Sequence, residues 1–193
     1  MDKVTFRPAA KSECMTIARL YSISSDGLSD YIWTTLARPG EDILDVGERR
    51  YSNEELPFSY KNCVVAELEG EVIGMLVAFP MYLPDGPNAS NEPDPVLVPY
   101  AKLERDNCYY IMGVAVLHEY RGRGIGARFL ELAAEKALGH GLPQISLIVF
   151  EQNEGAKRLY ERHGFYEVMR EEVVPHELIH YTGYALLMVK DIG

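Results

Sequence analysis

Apolar and polar residues follow one another along most of the chain with the two periods expected of strands and helices. Period-two and continuous apolar runs predict strands at residues 3–8, 61–68, 72–79, 108–117, 143–150, 165–174 and 184–190. Apolar residues three and four positions apart predict helices at 9–22, 26–40, 125–141 and 153–164. This order of strands and helices indicates an α/β domain with a mixed sheet.

Particular residues predict how these helices begin, where a hairpin turns and which face of one helix is buried. Pro8 stands where the first turn of a helix tolerates proline, and Asp26 or Ser29 is the expected cap of the second helix. Gly70 is expected to supply the positive φ of a hairpin turn. Asn153 is the expected cap of the last helix. The helix at 125–141 is expected to bury one face, formed by Ile125, Phe129, Leu132, Ala133 and Leu138.

Two segments lack a regular pattern. Residues 41–60 are polar and predict no element. Residues 81–106 and their flank are rich in proline, at positions 80, 84, 87, 93, 95 and 99. Because proline has no N–H to donate and fixes φ, we expect a long loop that cannot continue a central sheet. Such an insertion serves either as a binding element or as plain surface.

Composition and charge narrow the class of protein. A chain of 193 residues with 47% hydrophobic and 25% charged residues predicts one globular domain, 1–193. Its net charge of −10 would repel a phosphate backbone, which argues against nucleic acid as a partner. No run approaches the ~20 apolar residues of a membrane span, and the beginning of the chain has no signal-peptide core. We therefore expect a cytoplasmic protein with no membrane partner.

The cysteines give no sign of a disulfide or a metal site. They lie in or beside apolar segments, at Cys14, Cys63 and Cys108, without disulfide or metal spacing. We expect buried thiols of a reducing compartment, and no metal.

The stretch "YRGRGIGARF", residues 120–129, concentrates glycine and arginine between a predicted strand and a predicted helix. The first N–H groups of a helix have no partner within the helix, and the helix dipole favours an anion there. Glycines let a ligand approach the backbone, and arginines add charge-assisted hydrogen bonds. The site residues expected at this turn are Arg121, Gly122, Arg123, Gly124, Ile125 and Gly126. The pattern predicts a phosphate site. The alternative interpretation is a tight turn between strand and helix whose arginines are only solvated.

Two known classes of phosphate-binding loop, the dinucleotide-binding loop and the P-loop, can be compared with this turn. "GRGIGA" satisfies the dinucleotide pattern G-x-G-x-x-G/A, and Glu151 follows a later strand where a ribose-binding acid would stand. A dinucleotide fold needs several more strand–helix units, and the chain after Glu151 predicts an antiparallel pair instead. A P-loop is excluded because no Gly-Lys-Ser/Thr follows the glycines.

The segment "VAVLHEYRGRGIGARFLELA" resembles the coenzyme-A-binding motif Arg/Gln-x-x-Gly-x-Gly/Ala of the GNAT superfamily of acyl-CoA-dependent N-acetyltransferases. The matching positions are Arg121, Gly124 and Gly126. "ISLIVFEQNEGAKRLYERHGFYEV" resembles the second motif of that family, with matches at Asn153, Ala156, Tyr160, Gly164 and Phe165. The two motifs occur in the order and spacing of the family, and the resemblance extends over nearly the whole chain apart from the proline-rich insertion.

The resemblance implies a fold and a cofactor site. The fold would be a GNAT-like mixed, mostly antiparallel sheet flanked by helices, with splayed fourth and fifth strands. Acetyl-CoA would be the co-substrate, its pantetheine pairing with the backbone of Val114, Ala115 and Val116 and its diphosphate lying at residues 121–126. Asn153 and Ala156 would lie beside the cofactor, although capping alone is an alternative role for Asn153.

The resemblance also implies a catalytic residue. Tyr160 matches the tyrosine that protonates the departing thiolate in many family members, and a tyrosine packed in the core is the alternative interpretation. The position of the family's strand glutamate falls near Tyr110, which cannot act as that carboxylate, so the general base has no assignment. Its candidates are Glu104, Asp106, His176 and His180.

The predicted activity is transfer of an acetyl group from acetyl-CoA to a primary amine of a small molecule or peptide, by direct attack. An acyl-CoA sensor without turnover, and less favourably a dinucleotide-dependent oxidoreductase, are the alternatives. The acceptor is expected to meet residues 27–33, the proline-rich segment and the chain end. A homodimer is left open.

Overall fold

The computed structural model describes residues 3–83 and 92–192, and a seven-stranded sheet is its central feature. The strands are β1 (Thr5–Pro8), β2 (Cys63–Leu68), β3 (Glu71–Met81), β4 (Cys108–Val116), β5 (Gln144–Phe150), β6 (Tyr166–Glu172) and β7 (Tyr184–Asp191). The α-helices are α1 (Cys14–Ser24), α2 (Leu28–Leu36), α3 (Ile43–Ser52), α4 (Val98–Lys102), α5 (Ile125–Gly139) and α6 (Glu154–Arg162).

The strands are ordered β1-β2-β3-β4-β5-β7-β6 in the sheet. The pairs β1/β2, β2/β3, β5/β7 and β6/β7 are antiparallel, whereas β4 and β5 are parallel. The β4–β5 ladder consists of three pairs and ends where Ile111 meets Leu147, although β4 continues to Val116. This short parallel ladder fits the predicted splay, and the expected mixed, mostly antiparallel sheet flanked by helices is confirmed.

The chain forms two compact units, and each is built from two segments. The first unit contains the described residues up to Phe79 together with Met112–Phe129, and the second contains Pro80–Ile111 and the described residues from Leu130 onward. β4 and α5 contribute to both. The expectation of one domain over 1–193 stays a prediction.

Each unit buries its own apolar residues. In the first, α1, α2 and α3 surround Tyr21, Trp33 and Tyr51, whose ring centroids lie 5.9–6.5 Å apart. Trp33 is only 2% exposed and belongs to this core. In the second, β5 and β7 are buried along nearly their whole length, and their buried apolar side chains include Ile145, Leu147, Leu186 and Met188. Burial of these side chains is the main stabilising contribution expected of both units.

Two predictions at helix starts were wrong. Pro8 is the last residue of β1, where it pairs with Val64, and it does not lie in the first turn of a helix: a 3₁₀ turn at Lys11–Glu13 precedes α1, which begins at Cys14. β1 is an edge strand, and an edge strand tolerates a residue without an N–H. Gly27, with φ 90°, is the N-cap of α2 in place of Asp26 or Ser29.

The two segments without a regular pattern contain helices. Residues 41–60 include α3, which Asp42 caps by accepting a hydrogen bond from the Leu44 N–H at 2.8 Å. The proline-rich segment is only partly a loop, since β3 continues through Pro80 to Met81 and α4 lies at Val98–Lys102. The predicted loop positions 84–91 lie outside the described residues.

The hairpin follows the predicted pattern, and the helix after the glycine turn follows it in part. Gly70 has φ 84° in the turn between β2 and β3, as predicted. Ile125, Phe129 and Ala133 are buried along α5, but Leu132 is only half-buried and Leu138 is 58% exposed. Ala137 is buried in its place, which shifts the buried face by one residue at the end of the helix.

Candidate functional site

The turn between β4 and α5 has the open backbone that the sequence predicts. Gly122 and Gly124 have φ values of 75° and 81°, in the left-handed region that glycine adopts without strain. A Cβ built at either glycine would meet no atom within 4 Å. Buried Ile125 anchors the following helix. The turn is therefore accessible from outside on its backbone side.

Hydrogen-bond donors and positive charge lie together at this turn. The first helical hydrogen bond of α5 runs from the Arg128 N–H to the Gly124 carbonyl at 3.0 Å. The N–H groups before it, including that of Gly126, have no acceptor within the helix. Arg121 and Arg123 are exposed, and the Arg123 guanidinium lies 5.2 Å from the centre of the Tyr120 ring. Backbone donors, the helix dipole and two cations make this a site suited to a phosphate group.

β4 precedes this turn, and a 3₁₀ turn at His118–Tyr120 lies between them. Ala115 is buried, while Val114 and Val116 are half-buried. The Val116 carbonyl accepts a hydrogen bond from Arg121 Nε at 3.0 Å. A Cβ at Gly74 of β3 would lie 2.7 Å from the Ala115 carbonyl oxygen, so this glycine permits β3 and β4 to approach closely. Arg121 is therefore hydrogen-bonded to one of the carbonyls that were predicted to pair with pantetheine.

Three of the predicted residues lie on α6, in the second unit. Asn153 caps this helix, as predicted, because its side-chain oxygen accepts a hydrogen bond from the Ala156 N–H at 3.2 Å. The half-buried Tyr160 packs against Phe165, with 5.8 Å between the ring centroids. Its carbonyl accepts hydrogen bonds from the His163 and Phe165 N–H groups. These bonds close the end of α6 and fix the backbone that carries the tyrosine.

The four candidate bases, Glu104, Asp106, His176 and His180, lie in different environments. Asp106 Oδ1 accepts a hydrogen bond from the Leu83 N–H at 2.7 Å. His176 Nδ1 accepts one from the Leu178 N–H at 3.2 Å, and His180 is exposed. Burial, aided by the charge of Glu92, raises the pKa of the half-buried Glu104. A carboxyl with a raised pKa is better matched to proton transfer near neutral pH.

Sequence reasoning missed an aromatic group beside this part of the chain. Tyr100 on α4 is 8% exposed, and its hydroxyl is enclosed without a hydrogen-bond partner among the described residues. Its ring centroid lies 6.0 Å from that of Phe150, which is itself 5.4 Å from Tyr181. The prolines of this segment predicted a loop where the structure has α4. Pro99 in the first turn of α4 is nevertheless a recognised signal for the start of a helix.

The thiols are buried, as the sequence predicts. Cys14, Cys63 and Cys108 are free and at most 1% exposed. Cys108 Sγ lies 2.9 Å from Ser146 Oγ and 3.0 Å from the Arg105 carbonyl oxygen. Burial raises the pKa of the Cys108 thiol, which disfavours the reactive thiolate.

The described residues contain neither a metal-binding cluster nor a membrane-spanning helix. Within residues 3–83 and 92–192, no group of three or more His, Cys, Asp or Glu side chains is placed to hold a metal ion. In the same ranges, no helix is long and apolar enough to cross a membrane.

The chain matches known proteins over most of its length. Residues 30–165 match the model of the acetyltransferase (GNAT) family. An uncharacterized N-acetyltransferase of Archaeoglobus fulgidus is 29% identical over 154 residues, which are 80% of this chain and 87% of that protein.

Solved structures show a similar fold. An N-acetyltransferase from Staphylococcus aureus Mu50 has a TM-score of 0.67 at 22% identity, with 96% of this chain and 99% of that one covered. The NatC complex bound to Gag peptide and CoA contains a chain with a TM-score of 0.60 at 19% identity, with 99% of both chains covered.

Proposed function

Because the chain belongs to the GNAT acetyltransferase family, whose members transfer acetyl groups to amines, we propose that it moves the acetyl group of acetyl-CoA to a primary amine by direct attack. Acetyl-CoA supplies an activated thioester carbonyl to the attacking nitrogen. The C–N bond forms, the C–S bond breaks, and the thiolate leaves.

One observation carries the proposal: the open, positively charged turn at the start of α5. Gly122 and Gly124 leave room at the backbone, and the first-turn N–H groups are donors for a diphosphate. Arg121 and Arg123 would add charge-assisted hydrogen bonds. Arg121 would have to release the Val116 carbonyl if pantetheine paired there.

Direct attack is favoured over a cysteine intermediate. A nucleophilic cysteine needs an accessible thiolate, and such thiols lie in electropositive, partly exposed surroundings. The three thiols of this chain are buried, and the pKa of Cys108 is raised by burial. The amine itself is therefore the nucleophile.

Two residues of the second unit take the proton-transfer roles in this proposal. Tyr160 donates a proton to the departing thiolate, on the strength of its place in the family motif. Glu104 takes the proton that the amine loses, because Asp106 and His176 already accept backbone hydrogen bonds. The raised pKa of Glu104 supports this choice.

Calorimetry and thiol release together test the proposal. We expect acetyl-CoA to bind and NADH not to bind, and thiol to be released only when an amine is present. Arg123→Gln should raise the Kd of acetyl-CoA about 10-fold, since a hydrogen bond to a charged group contributes about 1.5–3 kcal/mol. Arg158→Gln is the matched control, because Arg158 pairs with Glu154 on α6.

Other outcomes would select the alternatives. Tight binding of acetyl-CoA without thiol release over a broad amine panel would indicate a sensor. Binding of NADH in preference to acetyl-CoA would indicate the dinucleotide class.

A further inference from the structure

Arg50 is a half-buried cation near the end of α3 that has no acidic partner. Its guanidinium lies 4.7 Å from the centre of the Phe58 ring, and among the described residues it donates no hydrogen bond and forms no ion pair. The neighbouring Arg49 is exposed and pairs with Glu41 at 3.2 Å. The chain has 29 acidic residues against 19 lysines and arginines, so Arg50 is unpaired although carboxylates are in excess.

The surroundings of Arg50 compensate only in part for the water that its guanidinium has lost. Burial lowers the pKa of Arg50, because no opposite charge stabilises the charged form. The Phe58 ring and the carbonyl end of α3 are weaker partners than a carboxylate. The unpaired nitrogens of Arg50 are not enclosed, in contrast to the Tyr100 hydroxyl, so an anion from solution can reach them.

The hydroxyl of Tyr21 belongs to the same aromatic group. The Tyr21 and Tyr51 ring centroids lie 5.9 Å apart, and the Tyr51 ring lies 6.4 Å from that of Phe58. The charge of Arg50 acts on both tyrosines. Burial raises the pKa of Tyr21 to about 12, so its hydroxyl keeps its proton near neutral pH and can donate to an anion. This hydroxyl also lacks a partner among the described residues without being enclosed.

Tyr21 packs directly against β4. A Cβ built at Gly113 would lie 2.9 Å from the Tyr21 ring, so this glycine makes room for the tyrosine. Gly113 precedes Val114, the first residue predicted to pair with pantetheine. Tyr21, Arg50 and Gly113 all lie in the first unit. An acceptor bound by Tyr21 and Arg50 would therefore lie beside the strand that is proposed to bind the thioester.

We propose that Arg50 and the Tyr21 hydroxyl form a subsite for a carboxylate of the acceptor. The guanidinium binds the carboxylate oxygens through charge-assisted hydrogen bonds, the phenol donates a further one, and Phe58 supports the guanidinium. The inference rests on the proposed acetyl transfer and adds the class of acceptor: amines that also carry a carboxylate, such as amino acids.

Matched ligands test the subsite without requiring turnover. The probes are glycine, 4-aminobutanoate and 6-aminohexanoate, each compared with its carboxamide, which has the same length and no negative charge. In calorimetry with the full chain and CoA present, we expect at least one acid to bind about 10-fold more tightly than its amide, because the amide loses the charge-assisted hydrogen bonds. Equal dissociation constants within every pair would overturn the proposal.

A charge variant and its neighbour locate the binding. Arg50→Gln should raise the Kd of the preferred acid about 10-fold and leave that of its amide unchanged. Arg49→Gln is the matched control: it removes the same charge one position away, where Glu41 already pairs with it, and should leave both dissociation constants unchanged. An unchanged Kd of the acid in folded Arg50→Gln would show that Arg50 only packs on Phe58 and would overturn the proposal.

A second variant covers the case in which Arg50→Gln fails to fold. Tyr21→Phe keeps the ring against Gly113 and removes only the hydroxyl. We expect it to raise the Kd of the acid about 10-fold as well, since it removes a hydrogen bond to a charged group. If Arg50→Gln did not fold and Tyr21→Phe bound the acid as tightly as wild type, the proposal would be overturned.

A failure of the proposed function would look different. If wild type preferred the acid to its amide but released no thiol with any amine, acetyl transfer would be refuted and the carboxylate subsite supported. If thiol were released equally fast with the acids and their amides, acetyl transfer would stand and the subsite would not.

Discussion

At the residue scale, the proposed acetyl transfer depends on two glycines and a few side chains. Gly122 and Gly124 adopt positive φ with open space beside them, as a ligand-binding backbone requires. Tyr160 is held by a ring contact to Phe165 and by a helix end closed through its own carbonyl. The proposed donor thus stands on a rigid element, which favours precise positioning.

Replacing the proposed proton donor tests its role. In Tyr160→Phe we expect kcat for thiol release to fall about 100-fold, the lower end of the contribution of a positioned general acid. The Kd of acetyl-CoA should stay unchanged, because the ring and its packing on Phe165 are retained. A thiol-release rate equal to that of wild type would show that another group protonates the thiolate.

A second residue-scale prediction concerns pH. The base must be deprotonated to accept a proton, so the rate should fall as pH falls through the pKa of Glu104. Since that pKa is raised by burial and by Glu92, the acidic limb should lie above the usual glutamate value of about 4.3. Glu104→Gln should remove this limb from the profile of kcat/KM, and Glu161→Gln, at an exposed position on α6, should keep it. A limb that persists in Glu104→Gln would assign the proton to another base.

At the element scale, the cap of α6 has one observed role and one proposed role. Asn153 caps the helix through the Ala156 N–H, and we propose from the family resemblance that it also contacts the cofactor. Loss of the first role would change the stability of the protein, and loss of the second would change its affinity for acetyl-CoA.

Asn153→Ala should lower the free energy of unfolding by about 1 kcal/mol, since the lost side chain no longer satisfies the Ala156 N–H. Asn153→Asp retains an acceptor and should restore most of that stability. Urea unfolding measures the first effect, and titration with acetyl-CoA measures any cofactor role. If Asn153→Ala were as stable as wild type, the cap would be energetically unimportant.

Local sequence signals predicted most elements because they depend on short-range physics. The hairpin at Gly70, the cap at Asn153 and the glycine turn each follow from a residue type at a fixed place. The helices α3 and α4 were not predicted, because their sequences are polar or rich in proline and the helices depend on tertiary contacts. The burial of Tyr100 was not predicted either, because it depends on Phe150, which lies fifty positions away in the chain.

At the scale of the whole molecule, the topology of the sheet agrees with the family. The pairs β1/β2, β2/β3, β5/β7 and β6/β7 are antiparallel and β4/β5 is parallel, unlike the successive parallel units of a dinucleotide fold. The net charge of −10 favours encounter with cationic acceptors, and the arginine turn is a local exception suited to an anion. A homodimer stays a prediction, which sedimentation of the full chain would test.

The proposed function requires that the turn at the start of α5 binds the diphosphate of coenzyme A. A crystal structure of the protein with CoA would test this requirement. We expect diphosphate oxygens about 2.7–3.2 Å from backbone nitrogens between Gly122 and Gly126, with Arg121 or Arg123 beside them. A diphosphate bound elsewhere on the protein, with this turn empty, would contradict the account.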